Sequence, residues 1–205
     1  MRVIDEIIIH CAAVPKDWRI DQTVEAQVAE IRRWHMARGW SDIGYHAIGH
    51  QKGPIGAGRD RDHDGDIWEE IGAHVRSRNA TSLGYCLIGG AGARADDRFE
   101  DHFTAAQGIA LRGWIRDRLE QFPTITKISG HNQYAAKACP GFSVPDWWAK
   151  QPDLVPVSSA FSDAVNRAEA AADMNLAARV QLLRAAELSN AAVAEMAQLG
   201  RLVSS

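Results

Sequence analysis

The segment that most limits the fold is Val3-Ile4-Asp5-Glu6-Ile7-Ile8-Ile9, a short β-branched run that reads as a strand buried on both faces. Such a strand needs partners beside it and layers above and below. The partners are legible. Leu83-Gly84-Tyr85-Cys86-Leu87-Ile88 is a second buried strand, ended by Gly89-Gly90. Tyr45–Gly49 and the glycine-rich stretch Gly53–Gly58 supply two short ones, and Ile125–Ser129 a last. Between them Val24, Val28, Ile31 and Trp34 or His35 recur at helical spacing, with Asp21 or Thr23 to cap the helix and Gly39 to end it. Thr104-Ala105-Ala106-Gln107 is a capping box opening a helix to about Phe122, with Leu111, Ile115 and Leu119 as its apolar stripe and Trp114 beside them. Ser143-Val144-Pro145-Asp146 resembles a second capping box and starts a short helix bearing Trp147 and Trp148. This alternation predicts an α/β chain: one domain with a central mixed β-sheet flanked by helices, over residues 1–150.

Beyond Lys150 the composition changes. Residues 151–161 read as a Pro/Ser linker and 162–205 as an alanine-rich C-terminal α-helical extension, with Val165, Ala168, Ala172, Leu176, Val180 and Leu183 on one stripe. A helix of this kind is not stable on propensity alone, so self-association through it is one expectation. Residues 153–205 hold four Arg against six Asp/Glu, which argues against a cationic membrane-disrupting tail.

The formal charge of -3 and the lack of a Lys/Arg stripe give no reason to expect nucleic-acid binding. No apolar run approaches the roughly 18 residues that span a bilayer. Met1–Glu6 carries acids where a secretory signal needs a basic and then an apolar segment, so synthesis and retention in the cytoplasm are expected. Cys11, Cys86 and Cys139 are too few for a disulfide framework, which leaves free or metal-bound thiols.

The chemistry concentrates in Ser129–Pro140, which places His131, Lys137 and Cys139 within nine residues. Imidazole and thiolate are good zinc ligands, and a catalytic zinc keeps three protein ligands and one open position. The best third ligand is His10, at the end of the first strand, where ligand clefts of α/β proteins lie. One zinc per chain on His10, His131 and Cys139 makes the chain a candidate zinc hydrolase. Cys11 should point to the opposite face from His10 and reads as a small buried hydrophobe. Asp60, Asp62, Asp64 and Gly65 imitate the start of a calcium loop. The twelfth position is Ile71, however, and Glu70 misses the required place by one, so the segment reads as a solvated acidic loop.

Six blocks, in order, resemble the type 2 N-acetylmuramoyl-L-alanine amidases, a family shared by phage lysozymes and animal peptidoglycan-recognition proteins. They are Ile8–Ala12; Ile31–His35 with Gly39-Trp40; Asp42–His46; Ala57–Arg59 with Gly72–His74; Ser82–Gly90; and His131–Pro140. The resemblance covers residues 1–150 and departs most at Asp60–Ile71. It implies zinc on His10, His131 and Cys139, with Tyr45 and Lys137 assisting hydrolysis of the amide between N-acetylmuramic acid and L-alanine. Non-catalytic recognition proteins tend to lack the cysteine, and the cytosolic muropeptide-recycling branch tends to carry aspartate there. Cys139 therefore favours an active, endolysin-like enzyme that waits in the cytoplasm until the membrane is opened and then attacks the wall. A recycling amidase and a wall-binding module without catalysis are the alternatives. Further expectations are that His74 and Asn79 line the groove for the sugar-peptide substrate and that His46 is structural. Trp40, Trp147 and Trp148 read as core or staple residues rather than sugar platforms.

Overall fold

The computed structural model describes residues 2–150, so the expected linker at 151–161, the helical extension at 162–205 and any self-association through it lie outside the described residues. The order is β1 (Glu6–Cys11), α1 (Val24–Met36), β2 (Ala47–Gly49), β3 (Ile55–Ala57), β4 (Ser82–Leu87), α2 (Phe99–His102), α3 (Ala105–Gln121), β5 (Lys127–Gly130) and α4 (Val144–Ala149), with a single 3-10 turn at His131–Gln133. The sheet runs β3-β2-β4-β1-β5. Only β3 is antiparallel to its neighbour, which makes the sheet mixed as expected. All six residues of β1 are buried, and so are all six of β4.

Alternation divides the sheet into two faces. Ile7, Ile9, Leu83, Tyr85 and Leu87 turn to one side and pack with Leu111, Trp114 and Ile115 of α3. On the other side Ile48, Cys86 and Ile88 pack under Val24, Val28 and Ile31 of α1. Register β1 on β4 pairs Glu6 with Ser82, Ile8 with Gly84 and His10 with Cys86, so this second face carries His10. α1 covers only part of it, and the remainder is where the site forms.

The ends of the helices follow local chemistry. Thr23, not Asp21, caps α1, taking the Ala26 N–H at 3.3 Å. Gly39, at φ +85°, lets the chain turn so that Trp40 N–H returns to the His35 carbonyl. Thr104 and Gln107 form both hydrogen bonds of the capping box, at 3.1 and 3.0 Å. The Gln107 amide does more, donating to the carbonyls of Gly49 and Ile88 and tying α3 to the sheet. Ser143 precedes α4 as expected, but its side chain makes no capping bond; Pro145 in the first turn sets that start instead. In the acidic loop Glu70 is buried, accepts the Arg61 N–H at 2.6 Å and faces Arg59 at 3.8 Å, so it is tied into the fold.

Candidate functional site

His10 is fully buried on β1, and the loop after β5 brings His131 and Cys139 to it. One ligand atom from each of the three lies within 4.8 Å of the others. His10 Nδ1 is 3.9 Å from Cys139 Sγ, and the His10 and His131 ring centroids are 4.7 Å apart. Donors on a tetrahedral zinc stand about 3.3–3.6 Å from one another, so a small contraction closes the trio.

The surroundings also suit a metal. His10 Nε2 is 3.0 Å from His74 Nδ1, and His74 Nε2 is 3.5 Å from Ser82 Oγ, which donates to the Arg78 carbonyl at 2.7 Å. Every bond in that series is satisfied when His10 carries its proton on Nε2. That tautomer leaves the Nδ1 lone pair facing Cys139 and His131, and it gives His10 the outer partner that ligating histidines need. Burial first, then the neighbouring charges of His131, His46 and Lys137, hold His10 well below its ordinary pKa, so it is a neutral ligand. Burial and Lys137 lower His131 in the same way. Cys139 Sγ accepts the Cys11 backbone N–H at 3.2 Å. The hydrogen bond with the Cys11 thiol and burial push the Cys139 thiol up, so a divalent cation is what would make it a thiolate. Two neutral imidazoles and an inducible thiolate are a donor set that zinc fits.

A cleft of about 730 Å³ opens beside the trio, bordered by His131, Lys137, Tyr45, His74 and Asn79. Exposed Arg38 and Arg76 line it too, and no acidic side chain does, so it is cationic. Lys137 is exposed there. Tyr45 packs its ring 5.1 Å from His10 and 5.3 Å from His35. Burial, then the surrounding thiols, raise the Tyr45 phenol well above its usual value, so it is a hydrogen-bond donor and not a base. His74 and Asn79 stand in the cleft wall, with both His74 ring nitrogens and Asn79 Oδ1 directed into the protein. His74 meets His10, and Asn79 Oδ1 takes the N–H groups of His74 and Val75 at 2.9 and 2.8 Å. Gly84 is required beneath them, since a Cβ there would lie 2.7 Å from the His74 ring.

His46 is buried and structural, as its place beside Tyr45 implied. Trp40 departs from expectation. It is 38% exposed and borders the cleft, because the turn at Gly39 carries it out of the core and onto His35, 4.6 Å between ring centroids. Trp147 and Trp148 pack against the core. Sequence reasoning passed over Glu6 and Tyr134, although the two-residue period joining Glu6, Ile8 and His10 placed that acid on the site's face.

Residues 1–142 match the family described as N-acetylmuramoyl-L-alanine amidase. The endolysin of Klebsiella phage KP32 is 39% identical over 145 residues, which cover 71% of this chain and 85% of that protein. Among solved structures, the N-acetylmuramoyl-L-alanine amidase LysC from Clostridium intestinale URNW superimposes with a TM-score of 0.55 at 23% identity, over 72% of this chain and 84% of LysC. Peptidoglycan recognition protein-LE, in complex with tracheal cytotoxin, a monomeric diaminopimelic acid-type peptidoglycan, gives a TM-score of 0.56 at 22% identity, over 74% and 82%. These two structures share the fold.

Proposed function

From the premise that the chain belongs to the N-acetylmuramoyl-L-alanine amidase family, and is a peptidoglycan hydrolase of the phage-endolysin kind, we propose that it works with one zinc ion held by His10, His131 and Cys139. The observation that carries this is the meeting of three donor atoms from opposite ends of the domain, within 4.8 Å, at the edge of a cationic cleft. When bound, zinc supplies a water acidified towards a pKa of about 7 and a Lewis acid for the amide carbonyl.

The protein's own groups do the rest. His74 holds His10 in the Nε2–H tautomer, and the Asn79 carboxamide holds the backbone that carries His74. Their part in substrate binding is therefore to shape the wall of the groove. Lys137 places a positive charge where the substrate carbonyl becomes an oxyanion. Tyr45, kept protonated, donates a hydrogen bond to the same region. Arg38 and Arg76 favour a substrate bearing carboxylates, as a wall peptide does. Among the described residues no helix is long and apolar enough to cross a membrane. The enzyme acts on the wall, and we propose that it reaches it from the cytoplasm after the membrane is opened.

Metal analysis with a turbidity assay on purified sacculi tests this. One zinc per chain, clearing lost to a chelator and clearing restored by zinc are expected; stoichiometric clearing by metal-free protein would refute the assignment. Lys137→Ala should retain its zinc and lose about 10²-fold in kcat, the loss typical of one oxyanion-stabilising group. His74→Ala should weaken zinc about 10–100-fold in a chelator competition, as loss of an outer-shell partner does.

A further inference from the structure

One buried charge has no part in this chemistry. Glu6, the first residue of β1, is entirely buried on the same face as His10. A buried carboxylate is costly unless its oxygens are satisfied. Here four side chains satisfy it. Ser129 Oγ donates to Oε1 at 2.5 Å, and the Tyr134 hydroxyl donates to the same oxygen. Lys127 Nζ stands 3.3 Å from Oε1, and Arg78 Nε donates to Oε2 at 2.8 Å. The Tyr134 hydroxyl also accepts from Lys127 Nζ, which lies 4.7 Å from the centroid of the Tyr134 ring. Both hydrogen-bonding roles of this phenol are thus taken by groups rooted in β1 and β5.

Tyr134 itself belongs to neither strand. It stands between His131 and Cys139, half-buried at the border of the cleft, in the loop that brings two ligands to the third. The loop closes on itself where Asn132 N–H meets the Cys139 carbonyl at 2.7 Å, and it touches β1 where Cys11 N–H meets Cys139 Sγ at 3.2 Å. Those contacts fix its Cys139 end. The bond from Tyr134 to Glu6 is the one that ties its middle to the strand carrying His10, four residues further along. A rigid loop is what a metal site needs, since ligands must be held by groups that are themselves held.

We propose that the Tyr134–Glu6 hydrogen bond, locked by Lys127, is a clasp that positions the His131–Cys139 loop over His10, so that zinc affinity and turnover depend on a tyrosine that is no ligand. The inference rests on the zinc reading above. Tyr134→Phe tests it, with Ser129→Ala as the control, because Ser129 bonds the same carboxylate from β5 without touching the loop. Tyr134→Phe should raise the zinc dissociation constant about tenfold, the lower end for an outer-shell partner. With zinc saturating, kcat should fall several-fold while KM stays put. The unfolding temperature of the metal-free protein should move by no more than about 4 °C. Ser129→Ala should leave zinc affinity and kcat at wild-type values. If Tyr134→Phe folds poorly, Lys127→Gln, changed at an exposed position, should still raise the zinc constant two- to threefold by freeing the phenol. Wild-type zinc affinity and kcat in the tyrosine variant overturn the clasp alone, as does a shift in apo stability with affinity unchanged. Wild-type protein that binds no zinc overturns the metal reading beneath it.

Discussion

Cys139→Ser is expected to abolish zinc binding and peptidoglycan hydrolysis together while leaving the fold in place. Cys139 is the one donor of the trio able to bring negative charge to the ion, with its Sγ 3.9 Å from His10 Nδ1. A serine hydroxyl is shorter and stays protonated, so two neutral imidazoles would remain with no anionic partner. The loss in zinc affinity should exceed the about 10–100-fold that removal of an outer-shell group costs, and hydrolysis should fall with it. The backbone bond from Asn132 N–H to the residue 139 carbonyl, 2.7 Å, still closes the loop, so the metal-free variant should unfold within a few degrees of metal-free wild type. The experiment also separates zinc chemistry from a thiol nucleophile assisted by His131. Both lose activity in Cys139→Ser, but only the zinc enzyme loses it in wild-type protein treated with a chelator. Hydrolysis surviving the chelator, or a serine variant with one tightly bound zinc, would defeat the reading.

What could be read in advance was what neighbouring residues decide for themselves. The β-branched run at Val3–Ile9, the capping box at Thr104 and the glycine after α1 each act over a few residues; the last two took the form expected, while the run gave a buried strand shifted to Glu6–Cys11, with Val3 left exposed. The site was legible because His10 ends a buried strand and because His131 and Cys139 share one short loop. The supporting contacts were not legible, since they join residues brought together only by the register of the sheet. Glu6 meets Lys127 and Ser129 because β1 pairs with β5 in that register, and His74 reaches His10 across 64 residues. The two-residue period puts Glu6 on the face of His10, but nothing local to it shows that its carboxylate is buried and bonded. Asn79 shows the same limit. Its place at the cleft was readable, but not that its carboxamide would be occupied in capping the backbone of His74 and Val75.

Acid should destabilise the domain steeply below pH 6.5, with His46 as a main cause. This imidazole is fully buried, and both its nitrogens are committed. Nδ1 accepts the Gly84 N–H at 2.9 Å, and Nε2 lies 2.9 Å from the Glu70 carbonyl, to which it donates. A second ring proton would point at the Gly84 N–H and add charge beside the Arg2 guanidinium, 3.0 Å away. Burial, helped by Arg2 and Arg59 and partly offset by the Glu70 carbonyl, lowers its pKa to about 3. The folded value is thus below the unfolded value of about 6.5, so the unfolded chain takes up the proton first. The stabilisation is complete above pH 6.5 and drains away as pH falls towards 3, at about 1.4 kcal/mol per pH unit, or about 2–3 kcal/mol by pH 4.5. Urea midpoints at pH 7 and pH 4.5, taken with chelator present so that loss of an ion does not contribute, measure the total. His46→Gln isolates this residue: an amide cannot serve both partners, so the variant should be weaker at pH 7 and should lose less on acidification than wild type. In the wild-type protein the His46 ring should remain neutral by NMR down to pH 4.5. Equal acid losses in the two proteins, or a ring that titrates near 6.5, would show that His46 does not carry the effect.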